Sequence, residues 1–192
     1  MKIADVLGIS EAKLICGNPE EQLGCFSKDT RTINRGDVYI AFCGENFDGN
    51  DFFGDAFSKE AKTCILSKLE NEEEVKKQYL DKNIILVRDT IEFITELAKK
   101  KRETIHVPVI AVTGSVGKTS TKNLIASVLE QKYTVLKTQG NLNTNIGLSL
   151  TLLGYQNEEC IVLEMGMNTF GEISTLSNIA KPTIAVITNI GT

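Results

Sequence analysis

Solid apolar runs alternate with helix-spaced stretches along most of this chain. Residues 107–112, 134–136, 160–163 and 184–188 are short runs dominated by Val, Ile, Leu and Ala. Such runs read as strands buried on both faces. Between them, 118–131, 148–153 and 172–179 carry apolar residues at helical spacing, and Pro182 breaks the last before the final strand. Strand-loop-helix repetition of this kind predicts a parallel sheet with right-handed crossovers. The first hundred residues show the same alternation less regularly. Strands are expected at 38–43, 63–66 and 83–87, and helices at 51–61 and 91–101. The second of these helices ends in Lys99-Lys100-Lys101-Arg102, read as a solvated, dipole-matched helix end, and the mixed-charge stretch 70–77 is read as a solvated face. The change of texture predicts two domains, 1–103 and 104–192, in an α/β fold.

Composition narrows the function classes. At 192 residues, 42% hydrophobic and 24% charged, the chain can bury a core and is neither disordered nor fibrous. No apolar run approaches the roughly 20 residues of a membrane span, and the N-terminus has no signal-peptide core. A net charge of −4 argues against a general nucleic-acid binder. Five scattered cysteines (Cys16, Cys25, Cys43, Cys64, Cys160) form no metal-ligand pattern and are read as small hydrophobes of a cytoplasmic protein. The single histidine, His106, excludes a His-rich metal site and is read as structural.

The strongest chemical signal is Thr113-Gly114-Ser115-Val116-Gly117-Lys118-Thr119-Ser120, between an expected strand and an expected helix. Glycines there turn backbone N–H groups toward phosphate oxygens, and the helix N-terminus adds partial positive charge. Lys118 is expected to reach the outer phosphates, with the Thr119 hydroxyl on Mg²⁺. The first glycine of the usual phosphate-loop pattern is Val112 here, so the tight turn falls to Gly114. Glu164 ends the 160–163 strand run and is expected to face that loop as a hard oxygen ligand. Asn141, Asn143 and Asn145 precede an apolar helix. They suit turn and cap chemistry as well as they suit a polar substrate. Near the N-terminus, Asp29-Thr30-Arg31 and the loop 44–50 with Asp48, Gly49 and Asn50 are further polar candidates. Arg31 is expected to pair with Asp29 or Asp37 rather than with a phosphate.

These residues resemble the Mur ligases of peptidoglycan synthesis. The likeness runs through Asp29-Thr30-Arg31, Gly36-Asp37-Val38-Tyr39, the phosphate-loop motif, 141–153, Glu164-Met165-Gly166, Gly171-Glu172-Ile173, Ile179-Ala180-Lys181-Pro182 and 187–191. It is strongest to the branch that joins D-alanyl-D-alanine to UDP-N-acetylmuramoyl-tripeptide through an acyl phosphate. The resemblance implies ATP and Mg²⁺ as cofactors. It assigns Gly114, Ser115, Val116, Gly117, Lys118, Thr119 and Ser120 to the ATP phosphates, and Lys118 and Glu164 to catalysis. Thr119 and Glu164 fall to the metal, while Asp29, Thr30, Arg31, Asp48, Gly49, Asn50, Asn141, Asn143 and Asn145 fall to the UDP-muramyl-peptide. Asn50 stands where the family usually has His, so no histidine contact to the nucleotide is expected. The implied architecture is a small α/β UDP-substrate-binding domain followed by a truncated P-loop NTPase parallel sheet. The ligases are more than twice this long, so the chain is read as their N-terminal portion, inactive alone, with an unpaired sheet edge prone to self-association. The full-length enzyme is expected to be a monomer. Three alternatives remain: a UDP-compound-binding module without catalysis, the related MurE-type ligase, and an unrelated P-loop NTPase.

Overall fold

The computed structural model describes residues 1–45 and 47–191. Asn46, in the polar loop 44–50, and Thr192, in the closing pair after Ile190, lie outside the described residues. The chain divides into two compact units, Met1–Leu97 and Ala98–Thr192.

The first unit contains β1 (Lys13–Cys16), β2 (Phe26–Ser27), β3 (Val38–Ile40), α1 (Phe53–Ser58), β4 (Thr63–Leu66), α2 (Glu72–Gln78) and β5 (Asn83–Leu86). Its sheet runs β1-β5-β4-β3-β2, parallel except for the antiparallel β1–β5 edge pair. The core strands carry the solid apolar runs the sequence shows: Ile40, Ile65, Leu66, Ile84 and Ile85 are fully buried. Tyr39, Cys64 and Ile84 pack with Ala56, Phe57 and Val75 of the helices. The 70–77 stretch forms α2, which buries only Val75.

The strand expected at 38–43 stops at Ile40. The chain leaves the sheet because Gly49 N–H bonds back to Phe42 O at 3.0 Å. A Cβ on Gly49 would sit 2.5 Å from that oxygen, so the hairpin closes only on glycine. Cys43 is therefore exposed, not a buried hydrophobe, and it bridges Asp48. Cys25 is exposed too, Cys16 is half-buried, and only Cys64 and Cys160 are buried. The helix expected at 51–61 is a 3-10 turn, Gly49–Phe52, followed by the shorter α1.

Helix α3 (Thr90–Glu103) leads into the second unit, which continues with β6 (Val109–Thr113), α4 (Lys118–Leu129), β7 (Val135–Lys137), α5 (Asn145–Leu153), β8 (Cys160–Glu164), α6 (Glu172–Ala180) and β9 (Ile184–Ile187). All strand pairs are parallel, in the order β7-β8-β6-β9. Side-chain alternation divides the two faces. Val109, Ala111, Ile161 and Leu163 pack with Leu148, Leu152, Leu176 and Ile179 of α5 and α6. Ile110, Val112 and Val162 pack with Ile125, Ala126 and Leu129 of α4 on the other face. Thus the loop after β6 turns to one face and the loop after the adjacent β8 turns to the other. Such a switch point, at the carboxyl ends of two adjacent parallel strands, is where open α/β sheets bind ligands.

Two expectations fail in this unit. Arg102 is not part of a solvated helix end. It is 8% exposed and donates to Ile105 O (2.6 Å), Ala180 O (2.5 Å) and Lys181 O (2.7 Å). It ties the last turn of α3 to the C-terminal carbonyls of α6, where a cation meets the negative ends of two helices. His106 is exposed in the turn between α3 and β6 instead of being built into the structure.

Candidate functional site

The loop after β6 takes its shape from two glycines and from a distant segment. Gly114 has φ +133° and Gly117 φ +84°, both in the region that glycine alone enters at little cost. A Cβ on Gly114 would lie 2.1 Å from Thr188 Oγ1, so the turn that the shifted motif assigns to this residue does fall there. The segment after β9 clasps the loop. Thr188 Oγ1 donates to Val116 O (2.6 Å), Ser115 N–H donates to Asn189 O (3.1 Å), and Val116 N–H donates to Asn189 Oδ1 (2.9 Å). Gly191 N–H closes on Ser115 Oγ at 2.8 Å. The N–H groups of Ser115 and Val116 are thereby occupied within the protein.

Further donors stand at the start of the helix. No side chain caps the start of α4. The first turn of a helix leaves its N–H groups without intrahelical partners, which at this end are those of Lys118, Thr119 and Ser120. Lys118 Nζ donates to Gly114 O (2.8 Å) and Ser115 O (3.4 Å), bending its ammonium over the loop with a third donor remaining. Thr119 and Ser120 are exposed beside it. Helix N-terminus, cation and hydroxyls thus stand together at this end of β6.

Glu164, at the end of β8, is 2% exposed, which removes the reading of a surface acid after a strand. Its N–H donates to Thr138 Oγ1 (2.9 Å), and Oε1 accepts from Asn143 Nδ2 (2.9 Å). Its Oε2 is buried without a hydrogen-bond partner, and the nearest cation, Lys122 Nζ, stands 3.9 Å away. A buried carboxylate oxygen left open is costly in a folded protein and marks a place where a ligand or cation belongs.

The asparagine loop divides its labour. Thr144 is the N-cap of α5, accepting from Gly147 N–H at 3.5 Å. Asn143 reaches Glu164, and Gly166 N–H bonds to Asn143 O (2.9 Å), which fixes the loop against the end of β8. Asn145 opens α5 and accepts from Ser149 Oγ (3.4 Å), while Asn141 is exposed. Sequence reasoning had no means of finding Lys122, Thr138, Thr188 or Asn189 here. Thr188 and Asn189 both sat in the 187–191 segment of the family likeness, and Lys122 closed its 113–122 segment, but none of them was given a role.

The first unit's candidates are locked to one another. Asp29 accepts from Arg31 N–H, Nε and Nη2 at 2.7–3.2 Å, and this pairing lowers its pKa to about 2. Arg31, as expected, spends its charge on Asp29, and Thr30 opens the 3-10 turn that Asp29 caps. Asp48 accepts from Asn50 N–H and Nδ2, from Cys43 Sγ and from Lys68 Nζ, which together hold its carboxyl well below the usual range. Asn50 is buried, and its Oδ1 accepts from Ser67 N–H (2.9 Å) and Lys68 N–H (3.2 Å). Tyr39 OH donates to Gly49 O (2.9 Å), and burial pushes the Tyr39 pKa up to about 12. Asp48, Gly49 and Asn50 therefore build their loop rather than presenting free polar groups from it.

Known proteins similar to this chain are ligases. Residues 112–192 match the Mur ligase middle domain. The UDP-N-acetylmuramoyl-tripeptide–D-alanyl-D-alanine ligase of Bacillus subtilis is 43% identical over 164 residues, 85% of this chain and 35% of that protein. The ligase of the same name from Borreliella burgdorferi is 37% identical over 202 residues, 99% of this chain and 43% of its own. Among solved structures, MurF from Acinetobacter baumannii superposes with TM-score 0.85 at 29% identity, covering all of this chain and 41% of that one. MurF from Thermotoga maritima in complex with ADP superposes with TM-score 0.72 at 37% identity, over 87% of this chain and 38% of that one. The chain spans about a third to two fifths of the length of these curated relatives.

Proposed function

We propose that this chain belongs with the Mur ligases and supplies the UDP-substrate-binding and phosphate-gripping part of an ATP-dependent ligase. That ligase joins D-alanyl-D-alanine to UDP-N-acetylmuramoyl-tripeptide. On this reading the first unit takes the UDP end and the second takes ATP. The observation that carries it is the pairing of an uncapped helix N-terminus after β6 with a buried, half-satisfied carboxylate at the end of the adjacent β8.

The chemistry follows from charge. The tripeptide carboxylate attacks the γ-phosphate, giving an acyl phosphate and ADP, and the dipeptide amine then displaces phosphate to form the amide. Phosphoryl transfer asks for positioning and neutralisation more than for covalent help. The N–H groups of Lys118, Thr119 and Ser120 seat phosphate oxygens, and the third Lys118 donor faces the charge that grows on them. Asn143 holds Glu164 in one rotamer, and Thr188 and Asn189 keep the loop closed against Gly114.

The residues fit a magnesium ion. Glu164 Oε2 is an open buried oxygen, and no group of three or more His, Cys, Asp or Glu able to hold a metal exists among the described residues. A site with so few protein ligands suits Mg²⁺, which keeps its waters and takes the rest of its shell from phosphates. Glu164 and Thr119 would hold it, and when bound it neutralises phosphate charge during transfer.

Two titrations test this. The chain should bind ADP with Mg²⁺, and separately UDP-N-acetylmuramoyl-tripeptide, by calorimetry. Absence of both would overturn the reading. Arg31→Ala should weaken only the second, and an equal loss for ADP would remove Arg31 from the UDP end.

A further inference from the structure

Helix α4 carries two lysines one turn apart, and only Lys118 has a part in the reading above. Lys122 points inward and is 3% exposed. Its Nζ donates to Thr138 O (2.8 Å) and lies 3.9 Å from Glu164 Oε2. Thr138 completes a triangle, because its hydroxyl accepts the Glu164 N–H. Lysine is almost never this buried unless paired, and removing an ammonium from water is costly. Yet 3.9 Å is too long for the charge-assisted hydrogen bond that would repay that cost, which forms near 2.8 Å. Thr138 O holds the ammonium back, so Lys122 lends its charge to Glu164 without occupying the open oxygen.

We propose that Lys122 is a positioning residue: a built-in counter-cation, tied to Thr138 O and held 3.9 Å from Glu164 Oε2, that keeps the buried carboxylate aimed while leaving that oxygen open to a divalent cation. A divalent cation arriving at Oε2 must then share the carboxylate with it. The inference rests on the reading of Glu164 as a cation ligand and adds the group that tunes it. Two cations near one carboxylate repel each other across a poorly screened interior. Lys122 therefore weakens divalent-ion binding and keeps the ion exchangeable, while making the metal-free fold self-sufficient.

The probe is Mn²⁺, titrated into the whole chain with ADP present and followed by electron paramagnetic resonance, with melting curves recorded in parallel. Lys122→Met should bind Mn²⁺ about tenfold more tightly than the parent, melt lower without metal, and gain more from adding it. Lys122→Gln keeps a donor for Thr138 O but lacks the charge, so it should match Met in affinity and melt closer to the parent. Lys122→Arg should stay near the parent in both readouts. Mn²⁺ affinity unchanged or weakened in both neutral variants would overturn the inference. Failure of the underlying reading looks different: Glu164→Gln would then leave Mn²⁺ affinity unchanged, whatever the Lys122 variants do.

Discussion

The two units place polar clusters in equivalent topological positions and finish them in opposite ways. In the first, the loop after β3 closes on itself. Asp48 and Asn50 satisfy each other, Cys43, Lys68 and the Ser67–Lys68 backbone, and among the described residues no buried side-chain nitrogen or oxygen of the cluster lacks a partner. In the second, the loop after β6 and the end of β8 leave an uncapped helix N-terminus and one naked carboxylate oxygen. Both are carboxyl ends of parallel strands, so topology alone does not distinguish them. What differs is whether the local hydrogen-bond inventory closes. Where it closes, the cluster is architecture. Where it does not, donors at a helix start and a buried acceptor remain open.

The largest expected effect tests how independently the two units stand. Arg102→Met removes the donor to three carbonyls, two of them at the end of α6, and a buried acceptor left unsatisfied costs about 1–3 kcal/mol. The second unit should lose about 3 kcal/mol or more. Hydrogen exchange read by mass spectrometry should show faster amides across 98–192 and unchanged amides in the strands of 1–97. Uniform acceleration of both would mean that the units do not unfold separately.

Next comes the same substitution made once in each unit. Gly114→Ala meets both a positive φ and Thr188 Oγ1, so the clasp on Val116 must open. Gly36→Ala meets only a φ of +87° in open space. The first should lower ADP affinity tenfold or more. The second should cost about 1 kcal/mol of stability, the strain of a left-handed residue, and leave ADP affinity untouched. Equal effects on ADP binding would erase the functional contrast between the two units.

Local chemistry was legible in the sequence, and long-range chemistry was not. The glycine spacing around Lys118 and the position of Glu164 after an apolar run follow from neighbours in sequence, and the two residues stand after β6 and at the end of β8, which are adjacent strands. The clasp by Thr188 and Asn189 joins residues more than seventy positions apart. It exists because β9 pairs beside β6, a strand order that no local pattern states. Lys122 and Arg102 were hidden for another reason. A lysine or arginine in a polar stretch reads as solvated, and only tertiary partners show the cation turned inward. The overrun of the 38–43 strand has a similar cause, since an apolar run does not reveal that Gly49 returns to Phe42. β1 and β2 went unread because four and two residues with polar flanks carry too little periodicity.

A smaller effect probes the closed cluster itself. Asn50→Ala removes the acceptor for two backbone N–H groups and a donor to Asp48, at a cost of about 1–2 kcal/mol. Asn50→Asp keeps the acceptor but sets a second carboxylate against Asp48, so it should be no better than Ala. Urea unfolding of the first unit measures both. A neutral Asn50→Ala would show that these hydrogen bonds contribute nothing to the fold, and the contrast with Glu164 would lose its footing.

The smallest effect is acid sensitivity, and its sign follows from the same closure. Asp29 and Asp48 both have folded pKa values below those of free carboxyls, Asp29 at about 2 because Arg31 hydrogen-bonds its ionised form. Such groups stabilise the fold above the unfolded pKa, near 3.9, and lose that contribution as pH falls toward the folded value. The window is therefore about pH 4 to 2. Arg31 is 83% exposed, so solvent screening keeps the Asp29 contribution small. Melting curves between pH 5 and 2 should show the first unit losing stability in that window, with the slope reduced in Asp29→Asn. Salt should flatten the slope as well, because the charges involved face water. If Asp29→Asn leaves the acid slope unchanged, the Asp29–Arg31 pair contributes nothing to closure, and the acid response of the first unit belongs to Asp48 and its buried partner Asn50.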